Sequence, residues 1–178
     1  MTREQFAAWM YERGSAKMIK RDGRDYLERL YLLALRSRPG TQRPGVSHPR
    51  ADRRRLRSFK VFDHLFHMDD PDPLHDHPWD WGRVIVNGAY REHYIDGTSK
   101  VFEAGHVLWH RQAEVFHRVE LLTPTVHTIF WHWQRRRTWG FMLPDGWAAT
   151  PEEGQDGREM TGVFLPRKLG PVPGEVKL

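Results

Sequence analysis

The chain has 178 residues, a formal net charge of +5 and 39% hydrophobic residues, among them 8 Trp and 9 Phe, so we expect one folded domain with extensions rather than a disordered chain. It contains no cysteine, which excludes disulfides and cysteine-based zinc sites and leaves His, Asp and Glu as the strong metal ligands. No stretch reaches the roughly 18 apolar residues of a membrane helix, and the first residues, MTREQFAAWMYERG, lack the apolar core of a signal peptide. We therefore expect a cytoplasmic protein without membrane contact.

The first part of the chain has apolar residues at helical spacing. They recur in this way over residues 3–13 and again over residues 25–36, and Pro39 and Gly40 end the second segment. We therefore predict two N-terminal helices. A linker rich in Pro, Gly and Arg is expected to follow them, to about residue 57.

The positive charge is concentrated in residues 36–60, which hold eight Arg and one Lys against a single Asp. A solvated basic linker is favoured over a nucleic-acid contact, because basic runs are common and this one has no base-reading geometry. Nucleic acid is therefore not an expected partner. Polyanion binding by this segment is the weakest of the alternatives that we keep open.

From Phe59 the chain consists of short runs rich in Val, Ile, Phe, Trp and Tyr, separated by turn residues. The strand candidates are residues 59–68, 79–95 with a break near Asn87-Gly88, 99–104, 105–111, 115–122 and 124–134. Short strands without intervening helices predict an antiparallel sandwich or barrel. The expected units are an N-terminal helical and basic extension (1–57), a β-barrel (58–143) and an irregular C-terminal extension (144–178).

Two histidines, His75 and His77, are separated by one residue in the stretch LHDHPWDW. Residues i and i+2 of a strand point to the same face, so the two imidazoles can reach one cation. His117 lies on a later strand candidate and can supply a third ligand if the two strands face each other. The alternative interpretation of the pair is a surface turn with exposed histidines.

The stretch LHDHPWDW, the following Gly88 and the later EAGHVLWHRQAEVFHRVE resemble the two sequence motifs of the cupin superfamily. The LHDHPWD core, FHRVEL and RRRTWGF are also similar to small uncharacterised cupin-like proteins of bacteria and their phages, over roughly residues 59–143. The resemblance implies a mainly β fold, a cupin-like antiparallel β-barrel (jelly roll), here with N-terminal helices. It also implies that His75, His77 and His117 are metal ligands and that Gly88 closes the first motif.

The chain departs from the family pattern at two points. With Gly88 aligned, the usual glutamate position falls on Trp81, and the nearest carboxylate is Asp80. On a regular strand Asp80 points to the opposite face, and a bulge after Pro78 would change that orientation. Asp80 is therefore a candidate fourth ligand beside three histidines. The second motif also lacks its usual Pro-x-Gly turn.

The resemblance implies a divalent metal ion as cofactor. Fe(II) is favoured, and Zn, Mn, Ni or Cu are alternatives, since neutral imidazoles suit all of them. Three ligands leave coordination positions open, as in catalytic metal sites. The leading hypothesis is an Fe(II) oxygenase-type enzyme acting on a small organic substrate. A metal-dependent isomerase or hydrolase, and a non-catalytic cupin that binds a small molecule or serves as an accessory module, stay open.

The candidate catalytic residues are Arg137, Arg83 and Tyr90. Continued alternation beyond the strand candidate 124–134 places Arg137 on the face of His127. If that face lines the barrel, Arg137 can bind a carboxylate or phosphate with two parallel hydrogen bonds. Arg83 and Tyr90 follow the first motif and are further pocket candidates. The expected partner is a small-molecule substrate with an anionic group, and the resemblance implies a homodimer.

Overall fold

The computed structural model describes residues 1–34, 59–71 and 73–150. Within these ranges the elements are α1 (Arg3–Glu12), β1 (Ala16–Arg21), β2 (Arg24–Ala34), β3 (Lys60–Phe66), β4 (Trp79–Asn87), β5 (Ala89–Tyr94), β6 (Ser99–Glu103), β7 (Val107–Arg111), β8 (His117–Leu121), β9 (Val126–Arg135), β10 (Gly140–Leu143) and β11 (Gly146–Ala149). The mainly β, antiparallel fold class predicted from the sequence is confirmed. Most of the basic segment, and residues 151–178, lie outside the described residues.

The strands form three hydrogen-bonded sheets in which every pair is antiparallel. The largest has the order β1-β2-β3-β9-β4-β7, and the others are β6-β5-β8 and β10-β11. A cluster of buried side chains from both larger sheets packs them face to face; its members are Ile85, Tyr90, Phe102, Val119 and Val126. Each strand candidate from Phe59 onward contains a strand. In the part of the chain that is described, no helix is long and apolar enough to cross a membrane.

The helix predicted over residues 3–13 is confirmed as α1, whereas the helix predicted over residues 25–36 is wrong. Strand β2 occupies this region and pairs with β1 in a hairpin. The two residues at the turn, Asp22 and Gly23, have φ angles of 51° and 72°, which is the positive-φ geometry of a type I′ turn. An Asp-Gly pair between two segments that can form strands indicates a hairpin. The helical spacing of the apolar residues in 25–36 hid this signal.

The sequence of β2 has the apolar spacing of a helix because the strand is buried on both of its faces. Leu30 is fully buried and packs with Ala7 and Met10 of α1 on one face. Leu27 is 5% exposed and pairs with Phe66 of β3 on the other. Apolar residues on both faces remove the period-2 alternation that identifies a half-buried strand. The N-terminal region thus extends the same sheet as β3.

A glycine pair offers a direct test of the turn between β4 and β5. Gly88 has a φ of +86°, and a Cβ there would lie 2.5 Å from the carbonyl oxygen of Thr125. Gly97 has a φ of +80°, and a Cβ there would meet nothing within 4 Å. We expect Gly97→Ala to lower the free energy of unfolding by about 1–2 kcal/mol, from backbone strain alone, and Gly88→Ala to lower it clearly more. Thermal unfolding measures both changes. Equal losses would contradict the close approach at Gly88.

Candidate metal centre

The segment that carries His75 and His77 lies between β8 and β10. The backbone N–H of His75 donates to the carbonyl of His117 at 3.0 Å, and the N–H of His117 donates back at 2.9 Å. On the other side, the N–H of Asp76 donates to the carbonyl of Gly140 at 3.1 Å. Backbone hydrogen bonds on both sides therefore fix the histidine segment in place.

The structure brings the three predicted histidine ligands together. The ring centroid of His75 lies 5.1 Å from that of His77 and 4.9 Å from that of His117. The ring centroids of His77 and His117 are 5.1 Å apart. One nitrogen from each residue can be chosen so that all three lie within 4.8 Å of one another. The Nε2 atoms of His77 and His117 are 2.8 Å apart, so both can contact a cation whose metal–nitrogen bonds are about 2.0–2.1 Å long.

The protonation and hydrogen bonding of these histidines fit a metal site. Burial lowers the pKa of His75 to about 4 and that of His77 well below its usual value, so both rings are neutral at neutral pH and offer lone pairs. The Nδ1 atoms of His75 and His117 are buried and have no hydrogen-bond partner among the described residues. A buried nitrogen atom without a partner is costly, and a cation at the three rings would provide a partner for Nδ1 of His75, whereas Nδ1 of His117 faces the carboxylate of Glu92.

The side chain of Glu92 lies behind His117 and is fully buried. Its Oε1 is 3.5 Å from Nδ1 of His117, an ion-pair distance rather than a well-formed hydrogen bond. A carboxylate at the second nitrogen of a ligand histidine is a common feature of metal sites, where it orients the ring. Glu92 is not among the site residues predicted from the sequence. Strand alternation from Tyr90 to residue 92 was the signal that pointed to it.

The carboxylate of Glu92 is surrounded by donors. They are Arg83 at 3.2 Å, Arg111 at 2.5 Å, the hydroxyl of Tyr94 at 2.6 Å and the hydroxyl of Tyr90 at 3.4 Å. Burial disfavours its charged form, but His117 and the two arginines together hold the pKa of Glu92 well below its usual range. The predicted pocket residues Arg83 and Tyr90 therefore meet at this buried carboxylate.

Asp76, between the two histidines, ties their segment to β10 and β11. Its carboxylate accepts hydrogen bonds from the N–H of Gly140 at 2.7 Å and the indole of Trp147 at 3.2 Å. Nη1 of Arg137 lies 2.8 Å from it. Burial raises the pKa of Asp76 to about 6 despite these donors. Arg137 is thus placed beside the histidine segment, with its charge paired to Asp76.

The structure places Asp80 at an irregularity of the sheet. The pairing of β4 with β9 shifts register between Trp79 and Trp81, close to the position after Pro78 at which a bulge would reorient Asp80. The carboxylate of Asp80 accepts from the N–H of Ala113 at 3.0 Å and pairs with Arg136 at 2.5 Å. Among the described residues, the group that can hold a metal contains the three histidines and not Asp80.

The face of β9 that carries His127 is the outer face of the large sheet. Nε2 of His127 lies 2.7 Å from Asp63, which also binds Arg3 of α1. The interior face carries Phe130, whose ring lies 5.5 Å from that of Trp81. The condition for an inward Arg137, that the His127 face lines the interior, is therefore not met. Strand β9 also ends at residue 135, before the alternation reaches Arg137.

A row of rings extends from the histidines into the interior between the sheets. Trp79 stacks on His77 at 5.1 Å and on His132 at 4.3 Å. Phe62 follows at 5.5 Å from His132, and His64 lies 5.5 Å from Phe62. The interior next to the candidate metal centre is therefore largely aromatic.

No protein-family model matches the chain, and a sequence search of curated proteins found no match. Among solved structures the chain is similar to Fe(II) HppE, with 14% identity and a TM-score of 0.46 over 66% of this chain and 55% of that one. It is also similar to an uncharacterized conserved protein with a double-stranded β-helix domain from Klebsiella pneumoniae, with 14% identity and a TM-score of 0.39 over 47% of this chain and 73% of that one. An HTH_3 family transcriptional regulator from Vibrio cholerae has 10% identity and a TM-score of 0.40 over 62% of this chain and 52% of that one.

This chain spans about half the length of the HppE structure. At these identities the similarities concern the fold alone. Fold and site together define a mainly β, antiparallel protein with a three-histidine candidate metal centre.

Proposed function

We propose that this chain is a metal-dependent enzyme with a cupin-like site that acts on a small organic substrate. The observation that carries the proposal is the grouping of nitrogen atoms from His75, His77 and His117 within 4.8 Å. Three protein ligands leave coordination positions for a substrate, as in catalytic sites. The ligand set suits Fe(II), Zn, Mn or Ni. We favour Fe(II) and an oxygenase-type reaction because of the resemblance in sequence to cupins.

The bound metal would supply Lewis acidity and, if it is iron, redox chemistry. The protein residues hold the ligands in place. The carboxylate of Glu92 favours a proton on Nδ1 of His117, which leaves the lone pair on Nε2, the atom next to His77. Trp81 is 2% exposed, and its ring lies 5.1 Å from that of His77 and 5.2 Å from that of His117. It excludes water from that side of the site.

Metal content tests this proposal. We expect anaerobically purified wild type to contain about one metal ion per chain by elemental mass spectrometry, and His77→Ala to contain almost none. The matched control is His110→Ala, which removes a half-exposed histidine outside the group and should retain the metal. Iron would justify a screen of substrates by oxygen uptake, whereas zinc, manganese or nickel would direct the screen to hydrolysis or isomerisation.

A folded wild type that holds no metal after reconstitution would overturn the proposal. It would leave a non-catalytic binding or accessory module as the remaining hypothesis. Metal retained in full by His77→Ala would show that the three histidines are not the site.

A further inference from the structure

Arg29 lies on β2 and borders the far end of the interior row of rings. It pairs with His64 across the β2–β3 ladder, and its Nε donates to Nε2 of His64 at 2.9 Å. Its guanidinium carbon lies 5.2 Å from the ring centroid of Phe62. The hydrogen bond and the ring together hold the guanidinium group in one orientation.

The charge of Arg29 has no acidic partner in the part of the chain that is described. Its other polar neighbours are the uncharged phenols of Tyr31 and Tyr26. Two other arginines on the interior face of the same sheet differ in this respect, because Arg83 and Arg111 contact Glu92 at 3.2 and 2.5 Å. Burial lowers the pKa of Arg29, but a guanidinium group stays protonated in proteins. A fixed positive charge is therefore held against apolar rings.

We propose that Arg29 binds the anionic group, a carboxylate or a phosphate, of the substrate of the metal centre. The inference rests on the function proposed above. Because His64 occupies Nε of Arg29 and the hydroxyl of Tyr31 accepts from one further N–H, the remaining N–H groups of the two Nη atoms donate in parallel to two oxygen atoms, the arrangement that carboxylates and phosphates accept.

The row of rings indicates the shape of the rest of the substrate. From His77 through Trp79, His132 and Phe62 to His64, consecutive ring centroids are 4.3 to 5.5 Å apart. The consecutive rings stack on one another, so a molecule that extends along this row meets their edges between its two polar ends. The preferred substrate therefore has an apolar or aromatic body, an anionic group at one end and its reactive group at the other.

The experiment is calorimetric titration of the metal-loaded full chain with benzoate, inorganic phosphate and uncharged benzamide. We expect wild type to bind one of the two anions and not benzamide; benzoate indicates a carboxylate substrate and phosphate a phosphorylated one. Arg29→Gln should weaken that binding about tenfold or more. Arg91→Gln is the matched control, since Arg91 is half-exposed and paired with Glu120 at 3.0 Å, and its affinity should equal that of wild type.

The proposal is overturned if wild type binds neither anion, or if Arg29→Gln binds as tightly as wild type. If Arg29→Gln does not fold, Arg29→Lys replaces it. That variant keeps the charge but loses the paired donors, so a several-fold weaker affinity is expected and an unchanged affinity contradicts two-point binding. Metal content of the same samples separates the two proposals: metal without anion binding refutes the Arg29 site alone, and anion binding without metal refutes the metal-dependent function alone.

Discussion

Replacing Glu92 with glutamine is expected to weaken metal binding by about 10- to 100-fold and to lower the free energy of unfolding by about 3–5 kcal/mol. The carboxylate is fully buried and lies 3.2 Å from Arg83 and 2.5 Å from Arg111. Glutamine has the same shape but no charge, so both guanidinium groups lose their counter-ion in the interior. The amide nitrogen of glutamine donates hydrogen bonds and cannot accept them, so only one of its two terminal atoms can accept. His117 also loses the carboxylate that orients its ring.

Glu120→Gln is the matched control for this variant. Glu120 is on a neighbouring strand and pairs with Arg91 and His93, but its side chain is 33% exposed. Exposed ion pairs contribute about 0–1 kcal/mol, so we expect little change in stability or metal affinity. Chemical denaturation and competition with a metal-binding dye measure the two effects. A less stable Glu92→Gln with wild-type metal affinity would assign Glu92 a purely structural role.

The metal-free protein should lose stability as the pH falls from about 6.5 to about 4. Burial lowers the pKa of His132 from 6.5 to about 4. Burial, with a contribution from the charge of Arg29, lowers the pKa of His64 well below its usual value. Both rings bind a proton in the unfolded state before they do so in the folded state. Lowering the pH through this window therefore favours unfolding, by up to about 1.4 kcal/mol per pH unit for each histidine.

The hydrogen bond at His64 also predicts that the protein loses stability as the pH falls. Its Nε2 accepts a hydrogen bond from Nε of Arg29 at 2.9 Å, and since arginine can only donate, this nitrogen must carry no proton. Protonation would break the bond and place two cations side by side. The carboxyl of Asp76, whose pKa burial raises to about 6, acts in the opposite direction over the same pH range, but it is one group against several histidines, so a net loss of stability is expected.

Urea denaturation of the metal-free protein between pH 7 and pH 4.5 measures this dependence. His132→Phe removes one of the four buried rings whose pKa is lowered in the described part of the chain, the others being those of His64, His75 and His77, and should flatten the curve by roughly the contribution of one histidine. His110→Gln changes a half-exposed ring and should leave the slope as in wild type. Equal stability of the wild type at pH 7 and pH 5 would contradict neutral, buried histidines in the interior row.

Local patterns accounted for most of the β structure. Turn residues such as Asn87-Gly88 separate runs of β-branched and aromatic residues, and β4 and β5 begin and end where these signals lie. The error at residues 25–36 has a tertiary cause. Leu30 is buried by α1 and Leu27 by the sheet interior, and a strand covered on both faces loses the alternation that distinguishes it from a helix.

Sequence alone was sufficient to predict the grouping of the three histidines that the structure brings together, because the spacing of His75 and His77 is a local property and the stretch around His117 resembles a family motif. Only the tertiary structure decided which arginine side chains have an acidic partner. Arg83 meets a buried carboxylate from a neighbouring strand, whereas Arg29 meets none among the described residues. An arginine has the same side chain in both settings, and its partner depends on which strands pack together, so the chain order does not reveal it.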